Sequence, residues 1–285
     1  MKILITGING YLGTLITTEL RQNGHSVQGL DRSVSQGPVE KLAEHINGND
    51  AIINLAGSNI LKRWTSSAKD KIYSSRINTT KNLVTAIRLL DKKERPGLFI
   101  SASAIGIYKA GDVHDETSTN FDQSFLGKVV KDWEAELNDL PKEIRTVIFR
   151  ISPVLGKDSK MIKNLKLPFM LGLGGKIASG KQAFPFIHEK DLVRAFSKAI
   201  EENWQGIFNL SAPKQISNLD FTRTFANIIH RPAVIPVPVF ALRLIYGEAA
   251  TMLVDSPQVL PKALSEQNFH FEFPSIKKTL TEILG

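Results

Sequence analysis

The sequence has no cysteine among its 285 residues. This absence excludes disulfide bonds, cysteine-ligated metal sites and cysteine nucleophiles, and it suits a reducing compartment such as the cytoplasm. Long apolar runs are missing as well, since no segment approaches the roughly 18 continuous apolar residues that a membrane span requires. The apolar run near the N-terminus extends only from Ile3 to Ile5, and no signal-peptide cleavage site follows it. We therefore expect a cytoplasmic protein without a membrane partner.

Metal ligands and a concentrated basic tail are also missing. Histidine and acidic residues are nowhere grouped with metal-ligand spacing, so no metal site is expected. The net charge is +8, and one run of basic residues recurs at every third position: Lys157, Lys160, Lys163 and Lys166. A solvated helix face explains this run; alternatively, the lysines form a rim that attracts an anionic substrate. Because few aromatic residues interleave with the basic ones, a nucleic-acid partner is not expected.

Short apolar runs and amphipathic stretches alternate along the first two thirds of the chain. The strand candidates are residues 2–6, 26–30, 51–55, 98–101, 146–151 and 207–210. The helix candidates are residues 11–23, 39–46, 67–90, 125–137 and 191–202. Strands that are apolar throughout and alternate with helices are typical of a parallel sheet covered by helices on both faces. The sequence therefore predicts an α/β, Rossmann-type, doubly wound fold.

The rest of the chain has a different pattern. Residues 172–180 are rich in glycine and predict a loop. Ser217 and Asp220 have the spacing of a capping box before a helix. Three prolines between residues 232 and 238 predict an extended connector, and residues 241–254 predict a further helix.

These patterns predict two lobes. The dinucleotide-binding domain covers residues 1–156, and a strand and a helix at 186–211 return to it. A smaller substrate lobe is expected from residues 157–185 and 212–285.

A glycine-rich turn, GINGYLG, follows the first strand candidate and opens the first helix candidate. Its glycines, Gly7, Gly10 and Gly13, permit a tight turn and a close approach of backbone to a pyrophosphate. The N-terminus of the helix offers unpaired N–H groups to the same anion. Because strand, turn and helix occur in the order that this mechanism needs, the stretch predicts a dinucleotide site.

The choice between NAD and NADP depends on two adjacent residues after the second strand candidate. A carboxylate at Asp31 would accept hydrogen bonds from ribose hydroxyls and repel a 2′-phosphate, which favours NAD. A guanidinium at Arg32 would pair with a 2′-phosphate, which favours NADP. The two residues argue against each other, and both cofactors stay open.

Five motifs together resemble the extended short-chain dehydrogenase/reductase superfamily. They are GINGYLG, NLAG at 54–57, SASAIGIY at 101–108, RISPVLG at 150–156 and FPFIHEKDL at 184–192. More narrowly, stretches 54–76, 179–192 and 245–264 are similar to a bacterial "epimerase family" of NAD(P)-binding proteins. The resemblance covers nearly the whole chain, and it implies a C-terminal domain of unknown function at about 236–283.

The resemblance also implies a set of cofactor contacts and a dimer. The implied contacts are Gly7, Gly10, Tyr11, Leu12, Gly13, Asp31, Arg32, Leu55, Ala56 and Gly57. Val154 would lie near the nicotinamide. Arg76 would reach the cofactor phosphates, although an ordinary surface ion pair explains it equally well. Superfamily members commonly form homodimers through the two helices that correspond to residues 67–90 and 125–137.

Members of the superfamily normally use a serine or threonine together with a Tyr-x-x-x-Lys pair on one helix. The lysine lowers the pKa of the tyrosine so that the phenol can exchange a proton near neutral pH. When Glu134 is placed on the family's glutamate, the tyrosine and lysine positions fall on Leu126 and Val130, which cannot do this chemistry. Sugar-nucleotide epimerases also tend to have an arginine shortly after the position of Gln182, where this chain has Phe184.

Ser103 and Tyr108 remain as candidate catalytic residues. Tyr108 would act as an acid or base if it faced the nicotinamide, and a buried packing role is the alternative. We expect His188 to be structural and Glu116 to lie on the surface. The sequence thus predicts an NAD(P)-dependent epimerase, dehydratase or reductase that acts on a small substrate. The alternative is a dinucleotide-binding sensor or scaffold without catalytic activity.

Overall fold

The computed structural model describes residues 1–285, and its centre is a sheet of six parallel strands. Their order across the sheet is β2-β1-β3-β4-β6-β9. The six strands are β1 (Lys2–Thr6), β2 (Ser26–Leu30), β3 (Ala51–Asn54), β4 (Leu98–Ala104), β6 (Arg145–Ile151) and β9 (Gly206–Leu210). Two small parallel pairs lie outside it, namely β5 (Val113–His114) with β10 (Gln258–Val259), and β7 (Val154–Leu155) with β8 (Ile187–His188). The predicted Rossmann-type α/β fold is confirmed.

Helices cover both faces of this sheet and build the second lobe. Those of the first part are α1 (Tyr11–Gln22), α2 (Arg32–Ser35), α3 (Val39–Ile46), α4 (Ser66–Leu89), α5 (Phe125–Ala135) and α7 (Glu189–Glu201). The others are α6 (Lys160–Met170), α8 (Asn218–Ile228), α9 (Val239–Tyr246), α10 (Thr251–Val254), α11 (Lys262–Glu266) and α12 (Ile276–Leu284). No helix is long and apolar enough to cross a bilayer.

The strands β1, β3 and β4 at the centre of the sheet are mostly apolar because both faces of the sheet are buried there. Ile3 and Ile5 of β1 point into a core with α1 and α7, whereas Leu4 points into a second core with α3 and α4. Successive side chains of a strand leave opposite faces, so each strand serves both cores. This packing explains the continuous apolar runs from which the fold was predicted.

The strand order reverses beside β1. The chain runs from β1 to β2 on one side and returns to β3 on the other side of β1. A crevice opens where the connections leave in opposite directions, at the carboxyl ends of the strands, and doubly wound folds bind ligands there. Gly7 follows β1 and Leu55 follows β3, so both predicted loops flank this crevice.

The residues predicted to form a second lobe contribute to a separate aromatic cluster, in which α6, α8 and α12 meet around Phe169, Phe221 and Phe225. The capping box at the start of α8 is confirmed, because Ser217 and Asp220 bond each other's backbone N–H groups. The helix predicted over 241–254 is wrong. Gly247 has φ +61°, which ends α9, and a short 3-10 turn separates α9 from α10.

A group of buried polar contacts, the C-terminal clasp, ties the last residues to α7. His188 caps α7 through its Nδ1, and its Nε2 lies 2.9 Å from the Glu282 carboxylate of α12. Asp191 accepts hydrogen bonds from the backbone N–H groups of Glu272 and Phe273 at 2.8 and 2.9 Å. The Phe273 ring stacks on His188. The structural role predicted for His188 is therefore confirmed.

Candidate functional site

The glycine turn between β1 and α1 depends on the absence of side chains. Gly7 has φ +72°, a conformation that favours glycine. A Cβ added to Gly13 would lie 2.2 Å from the Gly7 carbonyl oxygen, closer than any real contact. Gly10 is the N-cap of α1, and no side chain caps that end. The first N–H groups of the helix therefore remain open to an anion in the crevice.

Thr6 joins the two loops of the crevice at the carboxyl ends of β1 and β3. Its hydroxyl donates to Asn54 Oδ1 at 2.7 Å and accepts from the N–H groups of Leu55 and Ala56 at 3.1 Å. Asn54 donates in turn to the Thr80 hydroxyl on α4. This buried polar network fixes the position of the loop after β3 relative to the glycine turn. The sequence reasoning missed it, because its members are far apart in the chain.

A cavity of about 270 Å³ lies in the crevice. The structure brings six of the predicted cofactor residues together in its wall: Gly7, Gly10, Asp31, Arg32, Ala56 and Gly57. The polar residues of the wall that sequence reasoning missed are Thr6, Asn9, Ser35, Gln36, Ser58, Ser75 and Thr79. The cavity is therefore polar and backbone-rich, which suits a nucleotide.

Asp31 and Arg32 both lie at the open end of this cavity. Each is exposed, and the Arg32 guanidinium lies 3.3 Å from Gln36 Oε1. Neither residue forms a salt bridge. The Arg32 guanidinium is thus free to pair with a phosphate, and the Asp31 carboxylate is free to accept a hydrogen bond from a ribose.

Arg76 lies behind the cavity wall. Its guanidinium donates to the carbonyl oxygens of Ile72 and Ser58 at 3.1 Å and lies 5.5 Å from the ring centre of Trp133. A Cβ on Gly57 would lie 2.9 Å from the guanidinium carbon. Burial lowers the pKa of Arg76 to about 10, and no carboxylate compensates. In this structure Arg76 supports the loop after β3, and its predicted contact with phosphates stays a prediction.

The remaining predicted contacts surround the N-terminus of α1. Leu12 and Leu55 pack against the sheet core, and Val154 pairs with Ile187 in the small β7–β8 ladder. The Tyr11 hydroxyl donates to Glu189 at the start of α7. Burial and this carboxylate raise the pKa of Tyr11, so the phenol stays protonated. Their contacts with a cofactor stay predictions.

Ser103 is the end of a buried polar chain. Ser103 is only 4% exposed, and its hydroxyl donates to Glu134 Oε1 at 2.5 Å. Arg150 of β6 holds both oxygens of that carboxylate, through Nε at 2.9 Å and a terminal nitrogen at 2.7 Å. Burial alone would lower the pKa of Arg150, but Glu134 outweighs it and raises the pKa. The orientation of Ser103 is therefore fixed by a salt bridge that sequence reasoning did not anticipate.

The catalytic prediction for Tyr108 loses its geometric support. Tyr108 is 2% exposed, and its hydroxyl donates to Asn209 and accepts from Arg150, both at 2.8 Å. Burial raises the pKa of the phenol, and the hydrogen bonds with Arg150 and Asn209 oppose this shift only in part. Tyr108 is therefore a buried structural link, which is the alternative that the sequence left open.

Leu126 and Val130, the predicted Tyr-x-x-x-Lys positions, lie in apolar surroundings. Leu126 packs against the cluster of Trp64 and Trp133, and Val130 against the cluster of Tyr108. None of the four tyrosines of the chain is followed by a lysine four positions later. Helix α5 thus contributes Glu134 to the polar chain; it has no tyrosine, and its two lysines, Lys128 and Lys131, are exposed.

Glu116 is not the surface residue that the sequence suggested. Its Oε1 accepts from the backbone N–H of Asn209 at 2.8 Å, and its Oε2 is buried without a partner. Burial raises the pKa of this carboxyl, although hydrogen bonds from backbone N–H groups oppose the shift. Asn209 also donates to the Leu260 carbonyl oxygen. The polar chain that begins at Ser103 therefore extends to the C-terminal residues.

The geometry of the crevice fits a dinucleotide. The glycine turn leaves room for a pyrophosphate, since Cβ atoms at Gly7 or Gly13 would occupy backbone space. The cavity beside it carries hydroxyl, amide and guanidinium groups of the kinds that bind ribose and phosphate. No cluster of three or more histidine, cysteine or acidic side chains is arranged to hold a metal ion.

Comparisons with known proteins agree with this geometry. Residues 3–211 match the family described as NAD dependent epimerase/dehydratase, and residues 237–283 match a domain of unknown function, DUF1731. Mouse epimerase family protein SDR39U1 is 33% identical, with all of both chains covered. Epimerase family protein YfhF of Bacillus subtilis is 33% identical over 100% of this chain and 98% of its own. The crystal structure of human epimerase family protein SDR39U1 (isoform2) with NADPH has a TM-score of 0.91 at 33% identity, covering 99% of each chain.

Proposed function

Because the chain belongs to the NAD dependent epimerase/dehydratase family, we propose that it binds NADPH in preference to NADH and exchanges hydride with a small substrate. The family membership confirms the resemblance noted in the sequence and the expectation of an NAD(P) cofactor. The preference for NADPH and the nature of the substrate are the finer steps proposed here.

The observation that carries the proposal is the polar cavity beside the glycine turn. Arg32 is exposed in its wall without a carboxylate partner, and Ser35 and Gln36 lie in the same wall. A guanidinium with hydroxyl and amide neighbours suits a 2′-phosphate, whereas Asp31 beside it suits the ribose. The human relative with NADPH, which is similar over its whole length, supports this preference.

Ser103 is the polar side chain proposed to meet the substrate oxygen. When bound, the dinucleotide supplies the hydride donor or acceptor. Because the Ser103 proton points to Glu134, the free electron pairs of the Ser103 oxygen can accept a hydrogen bond from a substrate hydroxyl. The Glu134–Arg150 salt bridge holds the serine in one orientation. We propose that this positioning replaces part of what the Tyr–Lys pair does in other members.

The substrate is proposed to be a small molecule without a nucleotide. The position after Gln182 and Ala183, where sugar-nucleotide epimerases tend to have an arginine, is Phe184, whose ring stacks on Phe221 at 4.2 Å in the second-lobe core. No cation is available there for a substrate pyrophosphate. An anionic substrate would gain from the field of the exposed lysines on α6, which is the support for that part of the proposal.

The test begins with titration of NADPH and NADH, followed by nicotinamide fluorescence. We expect tighter binding of NADPH, and an Arg32→Ala variant should lose about tenfold or more of that affinity while binding NADH as before. Arg88→Ala is the matched control, because Arg88 is exposed on α4 far from the cavity wall. Equal affinities for the two cofactors, or an Arg32→Ala loss that is the same for both, would contradict the preference.

Turnover is tested by adding a panel of alcohols, hydroxy acids and small sugars to the protein with NADP bound and following the absorbance of the NADPH that forms. In this direction Ser103 accepts the hydrogen bond of the substrate hydroxyl, and the proton passes through it towards Glu134. NADPH formation that falls about 100-fold in Ser103→Ala, without a change in NADPH affinity, supports the proposed role of Ser103. Tight NADPH binding with no turnover on any member of the panel favours the sensor or scaffold function instead.

A further inference from the structure

The excess positive charge of the molecule is confined to two segments. Residues 159–188 and 221–247 contain five lysines, three arginines and no aspartate or glutamate. The whole chain has 36 basic and 28 acidic residues, so removing these eight leaves 28 of each in the rest. The net charge of +8 is therefore equal to the charge of these two segments. Of the acids that flank these segments, Glu248 is paired with Lys69, and Asp158 is paired with Lys163 at 2.9 Å on the exposed surface.

The same two segments expose most of the large apolar side chains on the surface. Of the 13 exposed large hydrophobic residues, nine lie within them, and Val234, Phe240 and Leu244 are 80%, 74% and 75% exposed. Helix α9 is the extreme case, because Leu242 is its one buried residue. Exposed apolar residues scattered singly are normal, but a concentration of this kind marks an interaction surface.

The two segments lie side by side. Arg231 donates to the Met170 carbonyl oxygen at 3.1 Å, and the backbones of Lys176 and Val237 are joined at 2.8 Å. Ala178 N–H donates to the Val237 carbonyl oxygen at 3.0 Å. Helix α9 begins directly after this junction, at Val239. The exposed apolar residues at the end of α6 therefore continue into the segment that leads to α9.

Helix α6 shows how charge and apolar surface are combined. Its inner face holds Ile162 and Phe169 in the second-lobe core. Lys163, Leu167 and Met170 are exposed on the opposite face, and they follow one another at three- and four-residue spacing, so they form one stripe. The exposed lysines lie mostly in the N-terminal half of this helix, and the exposed apolar side chains lie in its C-terminal half.

We propose that this surface binds the face of a bilayer that contains anionic lipids. We name it the basic apolar face and define it by Lys160, Lys163, Lys166, Leu167, Leu171, Arg231, Val234, Phe240, Arg243 and Leu244, all of them exposed. Apolar side chains enter the boundary between headgroups and acyl chains, while lysine and arginine pair with the headgroup phosphates. Such attachment departs from the expectation of no membrane partner, which rested on the lack of a spanning segment, and it needs no spanning helix.

The charge and composition of the face argue against two other binding partners, a second copy of the chain and a nucleic acid. A second copy of the chain would bring the same positive surface to the interface, and like charges placed opposite each other repel. A nucleic acid would use aromatic side chains for stacking, and Phe240 is the one exposed aromatic residue of the face. An anionic bilayer matches both the charge and the aliphatic character of the face.

The test is co-sedimentation of the full chain with vesicles of phosphatidylcholine alone and with 30% phosphatidylglycerol, at about 0.1 M salt where surface charges are screened beyond roughly 10 Å. We expect binding to the anionic vesicles only. Two double variants test the face: one combines Lys163→Glu with Lys166→Glu, and the other combines Phe240→Ser with Leu244→Ser. Each should raise the lipid concentration for half-maximal binding about tenfold or more. Matched controls are Lys81→Glu with Lys93→Glu, and Leu89→Ser, which are exposed outside the face and should bind as the parent does.

Circular dichroism and NADPH titration check that each variant is folded. Two outcomes overturn the proposal: no binding to anionic vesicles, or equal binding by the face variants and the parent. Retention on immobilised polyglutamate that depends on Lys163 and Lys166, without vesicle binding, would also overturn it and would point to an acidic protein partner.

Discussion

Tyr108 shows at the scale of one residue how a plausible catalytic group becomes a structural one. Its hydroxyl is the buried junction between Arg150 and Asn209. A Tyr108→Phe variant leaves both partners without their hydrogen bond in the core, so we expect it to lower the free energy of unfolding by about 1–3 kcal/mol. NADPH affinity should stay unchanged. Denaturant unfolding and fluorescence titration measure the two quantities.

Tyr73→Phe is the matched control for this variant. The Tyr73 hydroxyl donates to Asp132 at 3.0 Å near the surface, so its loss should cost at most about 1 kcal/mol. If Tyr108→Phe instead kept its stability and lost turnover, Tyr108 would have a catalytic role.

The residues that sequence reasoning located correctly are those whose role is local. Gly7, Gly10 and Gly13 are recognisable because the strand before them and the helix after them are visible in the same stretch. Ser103 was noted as a candidate, but its link to Glu134 and Arg150 was not recognised, because these residues are 31 and 47 positions away along the chain. Contacts at such separation depend on strand order, which the sequence does not display.

At the scale of the element, the turn between β1 and α1 has no tolerance for a side chain. A Gly13→Ala variant would place its Cβ 2.2 Å from the Gly7 carbonyl oxygen and 2.7 Å from that of Ile8. Because the turn must open to relieve this clash, we expect loss of NADPH binding and a stability decrease of about 1–3 kcal/mol. Fluorescence titration and thermal unfolding are the measurements.

Gly97→Ala is the control for the turn, because the nearest atom to its added Cβ is 4.0 Å away. This variant should bind NADPH as the parent does. Undiminished NADPH binding by Gly13→Ala would show that the turn does not hold the cofactor.

The boundaries of the long helix α4 were predicted well, whereas a break further along the chain was missed. The long helix α4 was placed within one residue at each end, since its buried residues recur with helical period. The break at Gly247 was missed, because apolar residues on both sides continue the pattern of a helix. Only the tertiary fold shows that glycine there takes a positive φ.

At the scale of the whole molecule, the C-terminal clasp makes stability depend on pH. Burial lowers the pKa of His188 below its ordinary value of 6.5, although Glu282 opposes the shift. A folded-state pKa below the unfolded one means that protonation favours unfolding. The contribution of His188 is therefore complete above about pH 6.5, and it is lost as the pH falls below that value.

Urea unfolding between pH 5 and 7.5 tests this dependence. The urea midpoint of the parent should fall with pH, and the fall should be smaller in His188→Asn, since asparagine can cap the helix but does not titrate in this range. His45→Asn, at an exposed site on α3, should keep the slope of the parent. Identical slopes in all three proteins would show that His188 does not control the acid sensitivity.

The homodimer that the family resemblance suggested is also a property of the whole molecule, and it stays a prediction. The outward sides of α4 and α5 carry exposed Lys71, Lys81, Lys128 and Lys131. In a dimer formed through these helices, the two positively charged surfaces would repel each other unless salt screened the charges.

The clasp also bears on how this chain can exchange parts with its relatives in evolution. The two regions matched separately, residues 3–211 and 237–283, look like modules that recombination could shuffle. Yet Asn209 of the first region donates to Leu260 of the second, and Glu282 of the second lies against His188 of the first. A hybrid that took its C-terminal region from another member would bury these polar groups without partners unless the donor supplied the same contacts. We therefore expect a hybrid without matching contacts at His188 and Asn209 to be less stable than either parent.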